Sequence, residues 1–229
     1  MICDMAELVL IIPMLTRAHR VAPLIASIEE NTDCEHTVLF VCTRGDVYVL
    51  AAVGDAMRSR PHLRCEILDA NTVGDYAIKI NHGYRVTDEP FMFLGADDLQ
   101  FHADWWPKAR RHFDNDMVGV VGTQDQCNDR VKRGTHSTHP VVARTYVDAH
   151  GTIDGPGVLH EGYVHEFVDD EFIQTAKRRR VFAFEHGSVV EHLHPMANKA
   201  PLDHMYAAQG SRMMIDRQTF QSRQHLWAR

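Results

Sequence analysis

Nothing in the 229-residue sequence approaches the run of roughly 20 apolar residues that a membrane-spanning helix requires. Cysteine is sparse and irregular. The five residues Cys3, Cys34, Cys42, Cys65 and Cys127 are odd in number and unpaired in spacing, which excludes a disulfide framework or a cysteine-zinc site. Reduced thiols in a cytosolic compartment are the expectation. There is no glycine-rich phosphate loop, Walker lysine, G-x-S-x-G or HExxH, so P-loop NTPase, serine hydrolase and zincin chemistry drop out. Internal repeats and low-complexity tracts are missing too. Positive charge is in deficit: 24 Lys and Arg against 31 Asp and Glu leave a net charge of −7, so the molecule as a whole is no basic nucleic-acid binder. Two basic clusters stand against that background, Arg130, Lys132 and Arg133 in one loop and 177–180 at a helix end. The N-terminal LVLIIPML is preceded by Asp4 and Glu7 and interrupted by Pro13, where a secretory leader would want positive charge. A first core strand is expected there.

What is present is an ordinary globular composition, 45% hydrophobic and 24% charged, with length for one large domain. Apolar runs at 7–14, 37–42, 64–68, 91–94 and 117–121 alternate with helical spacings at 21–30, 46–57, 74–87 and 103–113. In the third helix Val73, Ala77, Ile80 and Tyr84 make the stripe, with Lys79 and Asn81 off it. This rhythm predicts an α/β fold with a mostly parallel central sheet flanked by helices. After about Gly122 the character changes. A long polar loop is expected over 123–139, then a strand at 140–143, a helix over 163–178, short strands at 181–184 and 188–190, and a helical tail from Leu202.

Ligands of an open parallel sheet bind beyond the carboxyl ends of its strands. Three segments lie there: Pro13-Met14-Leu15-Thr16-Arg17, Thr43–Asp46, and Ala96-Asp97-Asp98. Thr16 and Asp46 are placed to cap the helices that follow, and Arg17 can reach a phosphate. Adjacent carboxylates suit a hard divalent cation, although paired aspartates after a strand also serve as turn and capping residues. Successive side chains on a strand point to opposite sides, so Asp97 and Asp98 need not share one ion. On a helix from 163, His165 would share a face with Asp169 and Glu166 with Asp170, and one acid of the run 169–171 could serve as a general base. His192 and His194 alternate on an extended segment, with spacing that fits ligation. Sixteen histidines are many, and most of them read as surface polarity. Trp105 and Trp106 can frame a sugar or pack a helix onto the sheet.

Taken in order, PMLTR, KINHGYRVTDEPFMFLGADDLQFH, GYVHEFVDDEF and VVEHLHP resemble a GT-A (Rossmann-like) glycosyltransferase, most closely family 2 and its small phage-encoded members. The resemblance spans about residues 7–195. It implies one domain over 1–229, with a nucleotide-sugar half at about 7–122 and an acceptor half with the C-terminal tail at about 123–229. By that resemblance Pro13, Thr16, Arg17, Asp46, Lys79 and Asp97 contact the donor. Asp97 and Asp98, with His192 or His194, hold a manganese or magnesium ion on the diphosphate. Asp169 or Asp170 is the base, Asp169 preferred. The frequent Asp-x-Asp-Asp form is departed from, since Gly95 stands at its first position. A UDP-sugar donor is implied, with inversion at the anomeric carbon. The acceptor is a hydroxymethylated base of phage DNA, a protein or a glycan, and the location is cytoplasmic (host cytoplasm for a phage protein). A nucleotidyltransferase and a non-catalytic nucleotide-sugar-binding protein are the alternatives. The first would want a glycine-rich basic signature after strand one, and the second has no need of an acidic helix.

Overall fold

The computed structural model describes residues 6–69, 75–207 and 209–227. An eight-stranded sheet runs through the molecule in the order β3-β2-β1-β4-β7-β6-β8-β5. Its first half is the expected parallel unit: β1 (Leu8–Pro13), β2 (His36–Thr43), β3 (Leu63–Leu68) and β4 (Phe91–Leu94). These strands pair in parallel, β1 lying between β2 and β4. Strand β7 (Val141–Ala143) then joins β4 antiparallel and turns the sheet into its second half. There β6 (Val120–Gln124) pairs antiparallel with β7 and parallel with β8 (Phe182–His192), while β5 (Leu99–Phe101) closes the edge antiparallel to β8.

The apolar strands are buried on both faces because helices cover both. Along β1, Leu8, Leu10 and Ile12 pack toward α1 (Val21–Asn31), α2 (Val47–Met57) and α4 (Trp105–Arg110). Val9 and Ile11 pack on the other face toward α3 (Tyr76–Arg85), α6 (Arg144–His150) and α7 (Val168–Arg178). Strand alternation sends successive side chains to opposite layers, and the continuous apolar run of β1 is its signature. Two short helices, α5 (Asp129–Lys132) and α8 (His204–Ala207), and a longer α9 (Gln209–Arg223) complete the α-helices among the described residues. Among the described residues no helix is long and apolar enough to cross a membrane.

Several expectations need correction. The helix read over 163–178 begins at Val168, because the N–H groups of Val164, His165 and Glu166 are all taken by the Asp216 carboxylate at 2.7 Å. Phe167 then sits at φ +63°, so His165 and Glu166 do not share a helical face with Asp169 and Asp170. The two strands at 181–184 and 188–190 are one strand, β8, whose pairing with β6 slips at Thr123/Gln124. The loop at 123–139 contains the end of β6 and all of α5, and β5 directly after Asp98 was not anticipated. Lys79 and Asn81, read as off the apolar stripe of α3, are both buried by polar partners. Val73, Cys3 and Asp4 lie outside the described residues. Cys34, Cys42, Cys65 and Cys127 are free thiols.

Gly83 is where α3 meets β1: a Cβ there would stand 2.5 Å from Ile11 Cγ2, and Ile11 is itself fully buried. Gly83→Ala is therefore expected to cost about 1–3 kcal/mol by overpacking. At about 2–4 °C per kcal/mol for a chain of this size, a thermal melt would register the loss.

Candidate active site

The carboxyl ends of β1 and β4 open into a cleft of about 750 Å³. Pro13, Arg17, Lys79, Asp97, Asp98, Asp169, Asp170, His192 and His194 all border it, although they come from segments up to 181 positions apart. Thr16 and Asp46 do not.

Asp97 and Asp98 follow β4 and are buried at 7% and 4% exposure. One guanidinium serves both: Arg17 Nη1 donates to Asp97 Oδ1 at 2.9 Å and to Asp98 Oδ2 at 3.2 Å. The register of β5 on β8 sets Leu99 opposite His192, which brings His192 Nε2 to 3.3 Å from Asp98 Oδ1. Tyr206, from α8 in the tail, donates its hydroxyl to Asp98 Oδ2 at 2.6 Å. Asp203 accepts from Arg17 Nε at 2.8 Å, and the Tyr206 ring lies 4.1 Å beneath the guanidinium carbon.

The two neighbouring carboxylates are driven apart electrostatically. Burial and the charge of Asp98 push Asp97 up to about 7, with Arg17 only partly opposing. Burial also works against Asp98, but His192, Tyr206 and Arg17 hold it below the ordinary carboxylate range. Burial lowers His192, and the charge of Asp98 more than restores it. Three carboxylates thus share one guanidinium, a floor short of positive charge.

Carboxylate oxygens and imidazole nitrogens are donor types that suit a hard or borderline divalent cation. His192 with Asp98 already makes a close pair at 3.3 Å, although no three of these groups offer atoms within 4.8 Å of one another. His139, absent from the sequence-based set, strengthens that fit. It is 4% exposed and borders the cleft, its ring centroid 5.2 Å from that of His192. Its Nδ1 donates to Leu94 O at 3.0 Å, its Nε2 has no hydrogen-bond partner among the described residues, and burial lowers it to about 4. A neutral imidazole with an orphaned nitrogen is a ligand type. The signal in the sequence was only the His139-Pro140 step before an apolar run. His194 stands beside His192, ring centroids 5.0 Å apart, with Nδ1 accepting from Met196 N at 3.1 Å.

The remaining expected residues hold the scaffold of the site. Lys79 is fully buried and spends its three donors on Met14 O, Thr43 Oγ1 and Asp75 Oδ2, at 2.7, 2.8 and 3.0 Å. It ties together the ends of β1, β2 and the start of α3. Asp46 caps α2, accepting from Val49 N at 3.4 Å, and also takes the Thr16 N–H at 2.6 Å. Thr16 caps nothing. Its φ is +60° and its hydroxyl lies 3.3 Å from His204 Nε2. Trp105 and Trp106 are packing residues at 0% and 2% exposure, their indole N–H groups on Thr32 and Glu7.

Asp169 and Asp170 at the start of α7 also border the cleft. Each acid of the run has its own partner: Asp169 has His136, Asp170 both Nη atoms of Arg130, and Glu171 has Arg223. Asp170 and Glu171 are buried, whereas the Asp169 side chain keeps a quarter of its surface open.

No protein-family model matches the chain, and no curated protein matches it. Solved structures do. A mannosyltransferase, PcManGT from Pyrobaculum calidifontis, in complex with GDP-Man and Mn2+, superposes with a TM-score of 0.67 at 16% identity, over 92% of this chain and 61% of that one. TarS 1-349 of S. aureus gives 0.64 at 12% identity, over 90% and 71%. The same protein in complex with UDP-GlcNAc gives 0.61 at 11%, over 91% and 66%. The chain thus spans about three fifths of the mannosyltransferase. At these identities the likeness is one of fold: a single α/β domain of the GT-A type.

Gly95, at the place of an expected acid, is set by packing. A Cβ there would fall 2.4 Å from Ile12 Cδ1 and 3.1 Å from Ile11 O. Restoring the acid with Gly95→Asp is expected to destabilise by about 1–3 kcal/mol or more. Chemical denaturation should show it, and nucleotide-sugar affinity should not rise.

Proposed function

We propose that the chain is a glycosyltransferase that moves a sugar from a nucleotide-sugar donor to a hydroxyl acceptor with inversion. The observation that carries this reading is the convergence in one cleft of Asp97, Asp98 and His192 with a further carboxylate, Asp169, from α7. Mere binding of a donor does not call for the second carboxylate. The likeness of fold to enzymes solved with GDP-Man and UDP-GlcNAc supports it.

Asp97, Asp98, His192 and His194 are the residues that would hold a manganese or magnesium ion, which when bound neutralises the diphosphate as a Lewis acid. Arg17, whose planar fork suits carboxylate or phosphate alike, is the cation on the cleft floor that would face the diphosphate. Asp169 accepts the proton of the acceptor hydroxyl. The acceptor oxygen bonds to the anomeric carbon as the bond to the diphosphate oxygen breaks on the far side, through an oxocarbenium-like transition state. Asp169 serves rather than Asp170, because Arg130 already holds both oxygens of Asp170. Residues 7–122 form the donor side and 123–229 the acceptor side, with His192 and His194 returning from the second half to the donor.

The test incubates the protein with UDP- and GDP-sugars and manganese, without acceptor and with hydroxymethylated DNA, protein or glycan. Free nucleoside diphosphate is the readout. Asp169→Asn is expected to lower turnover at least about 100-fold, in the range of lost general-base catalysis. Asp98→Ala is expected to lower it at least about 100-fold by removing electrostatic support for the leaving diphosphate. Pyrophosphate release from a nucleoside triphosphate would establish nucleotidyl transfer instead. Loss in Asp170→Asn with turnover intact in Asp169→Asn would move the base to Asp170.

A further inference from the structure

His136 belongs to no element that the sequence marked as chemical, yet its side chain is 1% exposed. Its Nε2 donates to Asp169 Oδ2 at 3.0 Å, and its Nδ1 is buried without a hydrogen-bond partner among the described residues. The other Asp169 oxygen, Oδ1, accepts the Asp170 N–H at 2.9 Å. Asp169 borders the cleft and His136 does not, so the imidazole stands behind the carboxylate.

We propose that His136 is a positioning residue for sugar transfer, holding the Asp169 carboxylate in the orientation and charge state that a base needs. The proposal rests on Asp169 being the base, as argued above. A purely structural role fits the site poorly. Leaving a buried nitrogen unpaired costs about 1–3 kcal/mol, which an apolar side chain of similar size would avoid. The one hydrogen bond that His136 makes ends on Asp169. That bond sets an N–H of the ring on Oδ2 and leaves the remaining lone pairs of the carboxylate to the cleft.

The charged and titratable groups facing Asp169 come from several elements: His136, Arg130 of α5, Tyr76 of α3, His165 and Glu166 before α7, and Asp170 beside it. Burial pushes Asp169 up. The hydrogen bond and charge of His136, the Asp170 N–H and Arg130 outweigh it, so the net position is below the ordinary carboxylate value. His136, Asp169 and Asp170 also lie close enough to hold an ion, each offering an atom within 4.8 Å of the others. Arg130 already fills that role with both nitrogens on Asp170, and His136 presents a proton rather than a lone pair to Asp169.

Two readouts test the pairing. The first is a carbon NMR titration of the Asp169 carboxyl. The second is the pH profile of nucleoside diphosphate release from UDP-GlcNAc and GDP-mannose with manganese, water acting as acceptor. In His136→Leu the Asp169 midpoint rises, because burial acts without its strongest counterweight. The acid limb of the profile moves up with it. The kcat falls about 10- to 100-fold, the scale of a misplaced catalytic group, while KM for the donor holds. His136→Gln places an amide N–H near the Nε2 position and recovers most of kcat. Should His136→Leu fail to fold, His136→Asn carries the contrast, since its shorter amide falls short of Asp169 and must show the loss that His136→Gln does not. A wild-type midpoint and kcat in His136→Leu or His136→Asn would overturn the proposal. So would a His136→Gln as impaired as either. Turnover surviving in Asp169→Asn would defeat the base assignment instead, and the carboxyl titration, which needs no turnover, keeps the two failures apart.

Discussion

Two carboxylates set side by side at the floor of a buried cleft are the constraint around which this molecule is arranged. Asp97 and Asp98 repel each other, and removing either charge from water is costly. A single guanidinium, Arg17, stands between them, and it is itself divided with Asp203. The pair therefore draws on the whole chain: Arg17 from the loop after β1, His192 from the end of β8, Tyr206 from the tail. A site built with too little positive charge is a site with a place for more, and nucleotide-sugar chemistry brings a cation and a diphosphate together.

The acidic run on α7 solves a similar problem differently. Three successive acids begin α7, where the helix dipole favours them. Each is met by a partner from another part of the chain: the His136 imidazole before β7, Arg130 on α5, Arg223 on α9. These pairs fasten the polar excursion after β6 and the C-terminal helix to the core. Of the three acids Asp169 alone stays a quarter open, and the imidazole that meets it has an Nδ1 with no hydrogen-bond partner among the described residues.

The parallel half of the fold was legible because its strands are continuous apolar runs and its helices carry a regular stripe. Asp46 as a cap was legible for the same local reason. What could not be read depends on distant partners. The start of α7 is decided by Asp216, whose carboxylate takes three N–H groups that a helix would otherwise have used. The burial of Lys79 follows from oxygens at the ends of two strands and the start of its own helix. Nothing in its helical spacing announces them. His136 and His139 lay in a polar stretch, and only the folded sheet shows that one reaches Asp169 and the other borders the cleft. Gly95 looked like a lapse in a motif until the position of Ile12 and the carbonyl of Ile11 left no room for any side chain.

The tail touches the beginning of the chain. His204 meets Thr16 across 188 positions, and Asp203 meets Arg17 across 186. During synthesis the parallel half can assemble while residues 203–216 are still to be made, since neighbouring strands and helices need only short loops to close. At that stage Arg17 has no Asp203, Asp98 has no Tyr206, and the N–H groups before α7 have no Asp216. The acidic cleft is therefore finished only when residues 203–216 have docked onto the sheet. The order in which the parts come together, as well as the end point, thus bears on this site.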